Sequence, residues 1–313
     1  MFGDGFKKIE EETKGIVLNI EHFHIHDGEG IRTNVFLKGC TLHCPWCCNP
    51  ESIYPKPQIA QHRNLCNGCG KCIAVCPVRC CIRTADGNVI TDFQKCTACG
   101  KCTEVCPYGA RELYGKEMSV AEVISEVEKD SFYFLNSDGG ITLSGGEACM
   151  QPEFASEIAR AAHRRYISVA LETSAAVPWN HLWQVVGEVD EVLMDIKSTP
   201  LEQIDKKIGK KYTKIVLNNL NELRKRGIMV TLRCPIVPGY NDTTEHISGI
   251  AGIAKDADIE RIDLLPFHQY GKHKYSSIGM KYELEDHAEM DRKKVEEMAE
   301  DLKKRGFIVS VGG

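Results

Sequence analysis

The stretch GCTLHCPWCCNPE, residues 39–51, sets three cysteines at C-x3-C-x2-C: Cys40, Cys44 and Cys47. Three thiolates on a four-iron cube leave one iron without a protein ligand. An open coordination position is what catalytic metal sites keep and structural sites close. Cys48 adjoins the third cysteine, but adjacent cysteines rarely both reach one cube, so it reads as a bystander. The apolar run NVFLKG, 34–39, leads into this segment and reads as a strand, which hangs the cysteine loop from a strand end.

Upstream, IVLNI at 16–20 reads as a second strand, and HDGEGIR at 26–32 between the two is rich in turn formers. After the triplet the pattern changes. Residues 55–114 hold ten cysteines, Pro77, Pro107 and few long apolar runs, a composition that must be organised by what the cysteines bind. It reads as an inserted module, dividing the chain at 1–54, 55–115 and 116–313. Helical patterns follow at 120–130, 152–165, 181–189, 214–227, 243–256 and 288–305. They alternate with strand patterns at 139–145, 167–173, 191–197, 229–237, 261–267 and 306–311. With the two early strands, these units are too many for a short doubly wound sheet and too few for a closed eight-fold barrel. The expected fold is α/β, an open partial (β/α) barrel, with a doubly wound sheet as second choice.

The 313 residues are 42% hydrophobic and 27% charged, which excludes disorder and fibre. A net charge of -5 gives no general electrostatic reason to bind nucleic acid or an anionic membrane. No apolar run reaches the roughly 18 residues of a membrane span, and the N-terminal residues lack a signal-peptide core. A cytoplasmic protein is expected. Sixteen cysteines in such a chain, at a length that needs no disulfide staples, point to metal.

Eight of them form two quartets, CNGCGKCIAVCP at 66–77 and CTACGKCTEVCP at 96–107, each C-x2-C-x2-C-x3-C-P. Duplicated, this is the run of bacterial two-cluster ferredoxins, in which each cube takes three thiolates from one run and the fourth from the other. On that pattern Cys66, Cys69, Cys72 and Cys106 hold one cluster, and Cys96, Cys99, Cys102 and Cys76 the other. Paired zinc knuckles are the alternative, but tetrahedral zinc has no use for four cysteines in one short run before proline, twice. Cys80 and Cys81 fit neither cluster and read as buried packing thiols, while Cys48, Cys149 and Cys234 lack a cluster spacing and read as neutral, partly buried thiols.

A further element is ITLSGGEACMQP, 141–152, at a predicted strand end. Gly145 and Gly146 let backbone approach a small ligand, and the Glu147 carboxylate beside them can pair with a ligand ammonium. Alone this is a common turn. At the C-terminal end of a strand, where α/β barrels place their chemistry, it is a candidate site.

With Trp46 before its third cysteine, the triplet resembles the radical S-adenosylmethionine (SAM) superfamily, in which the open iron chelates the cofactor's amino and carboxylate groups. SGGE resembles that superfamily's GGE motif, which holds the methionine amino group. HDGEGIR, FLKGC, CCNPE, SGGEACMQ, LETS, LMDIKS, VPGYND and LLPFHQYGKHKY occur in the order found in glycyl radical enzyme activating enzymes, most similarly to the subgroup with a ferredoxin-like insert. The resemblance implies three 4Fe-4S clusters, S-adenosylmethionine and a monovalent cation. It also implies a monomer served by a flavodoxin or ferredoxin-type electron donor, with a glycyl radical enzyme as partner and no nucleic acid or membrane. By the same resemblance Trp46 and Asn49 contact the cofactor, and Glu172, Thr173 and Asp195 line a cation and cofactor-carboxylate site. Lys197, Arg233 and His268 face the cofactor or target-glycine pocket. Asp195 and Lys197 are two apart on one predicted strand, hence on one face; a structural ion pair, and a loop cap for His268, are the plainer readings.

The implied reaction is one-electron reductive cleavage of S-adenosylmethionine, after which a 5'-deoxyadenosyl radical takes a hydrogen from the partner's glycine. One departure stands out: the family loop usually reads DGPG, whereas Glu29 follows Asp27-Gly28 here. Asp27 and Glu29 are expected at the barrel mouth, their charges meeting backbone amides or a basic group near the partner's glycine. The rival functions are a radical enzyme acting on a small molecule or RNA, and a multi-cluster electron carrier with no chemistry of its own.

Overall fold

The computed structural model describes residues 2–199 and 212–312. The apolar runs become strands: β1 Lys14–His24, β2 Arg32–Leu37, β3 Gln58–Gln61, β4 Cys81–Arg83, β5 Val89–Thr91, β6 Arg111–Tyr114 and β7 Lys116–Ser119. They continue with β8 Gly140–Gly145, β9 Ser168–Thr173, β10 Glu191–Asp195, β11 Val230–Ile236, β12 Arg261–Pro266 and β13 Ile308–Val311.

Nine of these form one sheet in the order β13-β12-β11-β10-β9-β8-β2-β1-β7. From β2 through β8 to β13 every neighbouring pair is parallel, and β1 and β7 extend the sheet antiparallel beyond β2. The central strands are buried on both faces, which is why their sequences read as continuous apolar runs rather than alternating ones. Strand order follows chain order from β8 to β13. A doubly wound sheet would reverse at a switch point, so that second choice is excluded.

The connecting helices carry the expected local signals. Val120–Val127 opens with a capping box in which Ser119 and Glu122 satisfy each other's backbone, and Pro152–His163 opens with proline in its first turn. The helix Phe2–Glu12 was not legible from its polar sequence. It is docked by tertiary charge: buried Glu10 accepts from Arg164 at 2.8 Å and Arg165 at 3.0 Å.

Residues 58–114 are organised around their cysteines. The antiparallel pair of β3 and β6 closes the base, β4 and β5 form a hairpin, and the small core is Ile59, Cys72, Cys80, Cys81, Val89 and Cys102. The quartets fold alike. Each places a left-handed glycine, Gly70 at φ 79° and Gly100 at φ 77°, before a short helix that carries its third cysteine.

Candidate active site

In a parallel sheet the strand C-termini open onto one edge, and here that edge holds a cavity of about 240 Å³. Cys40, Cys44 and Cys47, from the loop after β2, form one wall together with Trp46, Cys48 and Asn49. Ser144, Gly145 and Gly146 from β8 and its turn, Glu172, Thr173 and Ser174 from the end of β9, and Asp195 and Lys197 from β10 and beyond supply the polar wall. Phe267 and His268 after β12 close it.

The short helix Lys272–Ser277, which follows β12, fixes the cysteine loop. Lys274 Nζ donates to Asn49 Oδ1 at 2.8 Å and Glu51 Oε1 at 2.6 Å, and the Tyr275 hydroxyl donates to the Cys47 carbonyl at 2.9 Å. These two residues lie in the quoted motif LLPFHQYGKHKY, but nothing in the sequence pointed them at the cysteine loop.

The glycines are required by the chain's own backbone. A Cβ at Gly145, whose φ is 116°, would lie 2.3 Å from the Leu37 carbonyl oxygen, and one at Gly146 would lie 2.5 Å from that of Gly39. Glu147 does not line the cavity. Its buried carboxylate accepts from the Thr173 hydroxyl at 2.8 Å, the Ser174 hydroxyl at 2.8 Å, the Ser174 amide at 3.0 Å and the Cys149 amide at 3.2 Å. Its oxygens are engaged in clamping the end of β9 to the turn after β8. Burial holds its carboxyl above the ordinary range, with these donors opposing the shift.

Two charged assemblies stand at the strand ends. Lys197 Nζ lies 2.8 Å from Asp195 Oδ2. The strand ends at Asp195, so Lys197 is not on it as the periodicity suggests, although the Ile196 amide still donates to the Arg233 carbonyl at 2.8 Å. Burial would lower the Lys197 ammonium, but Asp195 and Cys44 outweigh it and hold the pKa above its ordinary value. The second assembly centres on Arg233, buried on β11, whose Nη1 donates to Glu172 Oε1 at 2.9 Å and Asp27 Oδ1 at 2.8 Å. Burial raises the Glu172 carboxyl, with Arg233 opposing. Asp27 is held below the usual carboxylate range: burial would raise it, but Arg233 and Asn34 prevail. Neither Asp27 nor Arg233 lines the cavity; they meet it through Glu172. The Glu29 side chain is exposed, and its amide donates to Glu191 at 3.3 Å. His268 stacks on Tyr270 with ring centroids 4.1 Å apart, its Nε2 3.9 Å from Cys48 Sγ, and burial lowers its pKa.

Burial pushes the Cys40 thiol up to about 12 and Cys44 up to about 11, with Cys47 also raised. Near neutral pH such thiols ionise only with a cation bound among them, which fits a metal cluster. Trp46 Nε1 is buried without an acceptor among the described residues, a free donor in a residue of this wall.

Two smaller cavities divide the quartets. One is lined by Cys66, Cys69, Cys72 and Cys106; the other by Cys76, Cys96, Cys99 and Cys102 with Cys80 and Cys81. Each takes three cysteines from one run and one from the other.

The radical SAM superfamily model matches residues 34–248. The chain is 41% identical over 283 residues to the (2S)-3-sulfopropanediol sulfolyase activating enzyme of Bilophila wadsworthia, covering 88% of this chain and 93% of that one. It is 38% identical to the benzylsuccinate synthase activating enzyme of Thauera aromatica, covering 95% and 92%. The 4-hydroxyphenylacetate decarboxylase activating enzyme of Clostridioides difficile is 33% identical, covering 97% and 98%. A solved radical SAM methyltransferase from Sphaerobacter thermophilus shares the fold, with a TM-score of 0.53 over 95% of this chain and 77% of that one at 12% identity. The chain belongs to the radical SAM superfamily, in the family of activating enzymes that these relatives represent.

Proposed function

We propose that the protein activates a glycyl radical enzyme, and that residues 55–115 form a ferredoxin-like insert which feeds electrons to the catalytic cluster from a flavodoxin or ferredoxin-type donor. The observation that carries this reading is the shared cavity at the strand ends, where three cysteines of one loop face Glu172, Thr173, Asp195 and Lys197. When bound, a 4Fe-4S cluster and S-adenosylmethionine supply one-electron cleavage of the sulfonium and a 5'-deoxyadenosyl radical that takes a hydrogen atom from Cα of the partner's glycine.

The chain's own residues prepare that chemistry. Cys40, Cys44 and Cys47 would hold three irons and leave the fourth for the cofactor. Gly145 and Gly146 present backbone rather than side chains to the cavity. Glu172, Thr173 and Asp195 offer oxygens to a monovalent cation and to the groups around the cofactor's carboxylate, while Lys197 keeps its positive charge beside them. Trp46 offers an unused donor, and Phe267, Leu42 and Trp46 keep water from the reacting centre. The quartets, divided as their cavities divide them, would hold the second and third clusters.

The test is anaerobic. Reconstituted protein, reduced and given S-adenosylmethionine, is expected to release methionine and 5'-deoxyadenosine, and to raise a glycyl radical signal by electron paramagnetic resonance (EPR) on a glycyl radical enzyme supplied as partner. Absence of cleavage in the reduced, iron-loaded protein would favour an electron carrier. Cleavage coupled to a small molecule or RNA, with no radical on the partner, would favour the other rival.

A further inference from the structure

Between the two quartets lies a buried cation that the proposed reaction does not use. Arg111, the first residue of β6, is 4% exposed. Its side chain lines both four-cysteine cavities. Nη2 donates to Cys72 Sγ at 3.8 Å, on the wall shared with Cys66, Cys69 and Cys106. Nη1 donates to Thr91 Oγ1, on the wall of the other cavity, and Thr91 is itself held by donating to Gln61 Oε1 at 2.9 Å. Among the described residues no carboxylate forms an ion pair with this guanidinium.

A cation taken out of water is costly unless an anion answers it. Around Arg111 the groups able to supply that negative charge are the cysteine sulfurs. A cube with four thiolates is an anion, and reduction adds one more negative charge. Net charge and hydrogen bonds at the sulfurs are among the terms that set its potential. A fixed positive charge at the sulfurs therefore favours the reduced state.

We propose that Arg111 is a positioning residue for electron transfer, one shared charge that raises the reduction potentials of both insert clusters together. This rests on the reading of the quartets as cluster sites. It explains why a strand of this small module begins with an arginine turned inward, where ion pairing to a carboxylate is absent.

The experiment is a reductive titration followed by EPR on the full-length, anaerobically reconstituted chain, with Cys40, Cys44 and Cys47 changed to Ala so that only the quartets contribute. The Arg111→Gln variant is expected to retain about eight iron per chain. At the potential where the parent is half reduced, its reduced-to-oxidised ratio should fall at least about tenfold, which is about 59 mV for a one-electron couple. Arg111→Lys, which keeps the charge, is expected to stay near the parent. If the Gln variant does not load, Arg111→Met replaces it with the same two readings. An unshifted ratio in a loaded neutral variant, a Lys variant shifted as far as the neutral one, or loss of iron from all three variants would overturn the inference. Parent protein with no iron at the quartets, or with zinc there, would instead remove the cluster reading on which it stands.

Discussion

Arg233 Nη1 donates to Asp27 Oδ1 at 2.8 Å, tying the loop between β1 and β2 to β11 across 206 residues of chain. The same nitrogen holds Glu172, so a residue of the outer loop is one guanidinium away from the cavity wall. The loop's Asp27 is thereby fixed rather than free in solvent, its other oxygen accepting from Asn34 at 2.6 Å and facing His24 at 3.1 Å.

Removing that anchor is expected to disturb docking rather than cofactor binding. In Asp27→Ala, Arg233 keeps Glu172, so binding of S-adenosylmethionine should remain near normal. Glycyl radical formation at subsaturating partner, counted by EPR, should fall at least about tenfold, roughly 1.4 kcal/mol. An unchanged radical yield would make the loop a structural turn, and a matching loss of cofactor binding would assign Asp27 to the cofactor site.

Gly146→Ala tests the close packing behind the triplet. Its Cβ would sit 2.5 Å from the Gly39 carbonyl oxygen and 2.9 Å from that of Ser52, both backbone atoms flanking the cysteine loop. Overpacking of this kind costs about 1–3 kcal/mol, and the displaced loop should release its cluster, lowering iron by about four per chain while the quartets stay loaded. Gly252→Ala, inside the helix Thr244–Asp256 with nothing within 4 Å of the new Cβ, is the control and should leave both stability and iron undiminished. Full iron in Gly146→Ala would show that the loop can give way.

Loss of one quartet ligand should separate relay from catalysis. Cys69 and Cys99 lie on different cavity walls. Cys69→Ala or Cys99→Ala should slow turnover driven by a protein donor far more than cleavage driven by a small, strong reductant. Equal and complete loss under both conditions, with the triplet cluster shown intact, would mean that the quartets do more than conduct.

Acid sensitivity should trace in part to His246. It is fully buried, its Nδ1 accepts from the Thr199 amide at 2.9 Å, and burial lowers its pKa to about 4 from an ordinary 6.5. The unfolded chain therefore binds the proton more tightly than the folded one. The contribution to stability is complete above pH 6.5 and is lost as pH falls toward 4. Between pH 7 and 5.5 this amounts to about 1 kcal/mol. The unfolding free energy of the wild type, from denaturant titrations, should fall over that window by this much more than that of His246→Asn. Parallel pH profiles would acquit His246.

The features legible along the chain are local. Spacing of three and two residues between Cys40, Cys44 and Cys47 is chemistry written along the chain. The duplicated quartets likewise fix which sulfurs can share a turn. The apolar runs of β8, β9 and β10 are readable because strands buried on both faces need little from any one distant partner to look like strands.

Which groups face one another depends on the packing of distant segments. Glu147 reads as a ligand for an ammonium, but the register of β8 against β9 turns it onto Thr173 and Ser174. Lys197 meets Asp195 although the strand has ended, and the polar helix Phe2–Glu12 exists through Arg164 and Arg165 far downstream. Asp27 with Arg233, Lys274 with the cysteine loop, and Arg111 between the quartets all depend on which strands and loops become neighbours. A charged side chain's partner is chosen by proximity in a low-dielectric interior, where leaving it alone is costly, and that proximity has no spacing in the sequence to announce it.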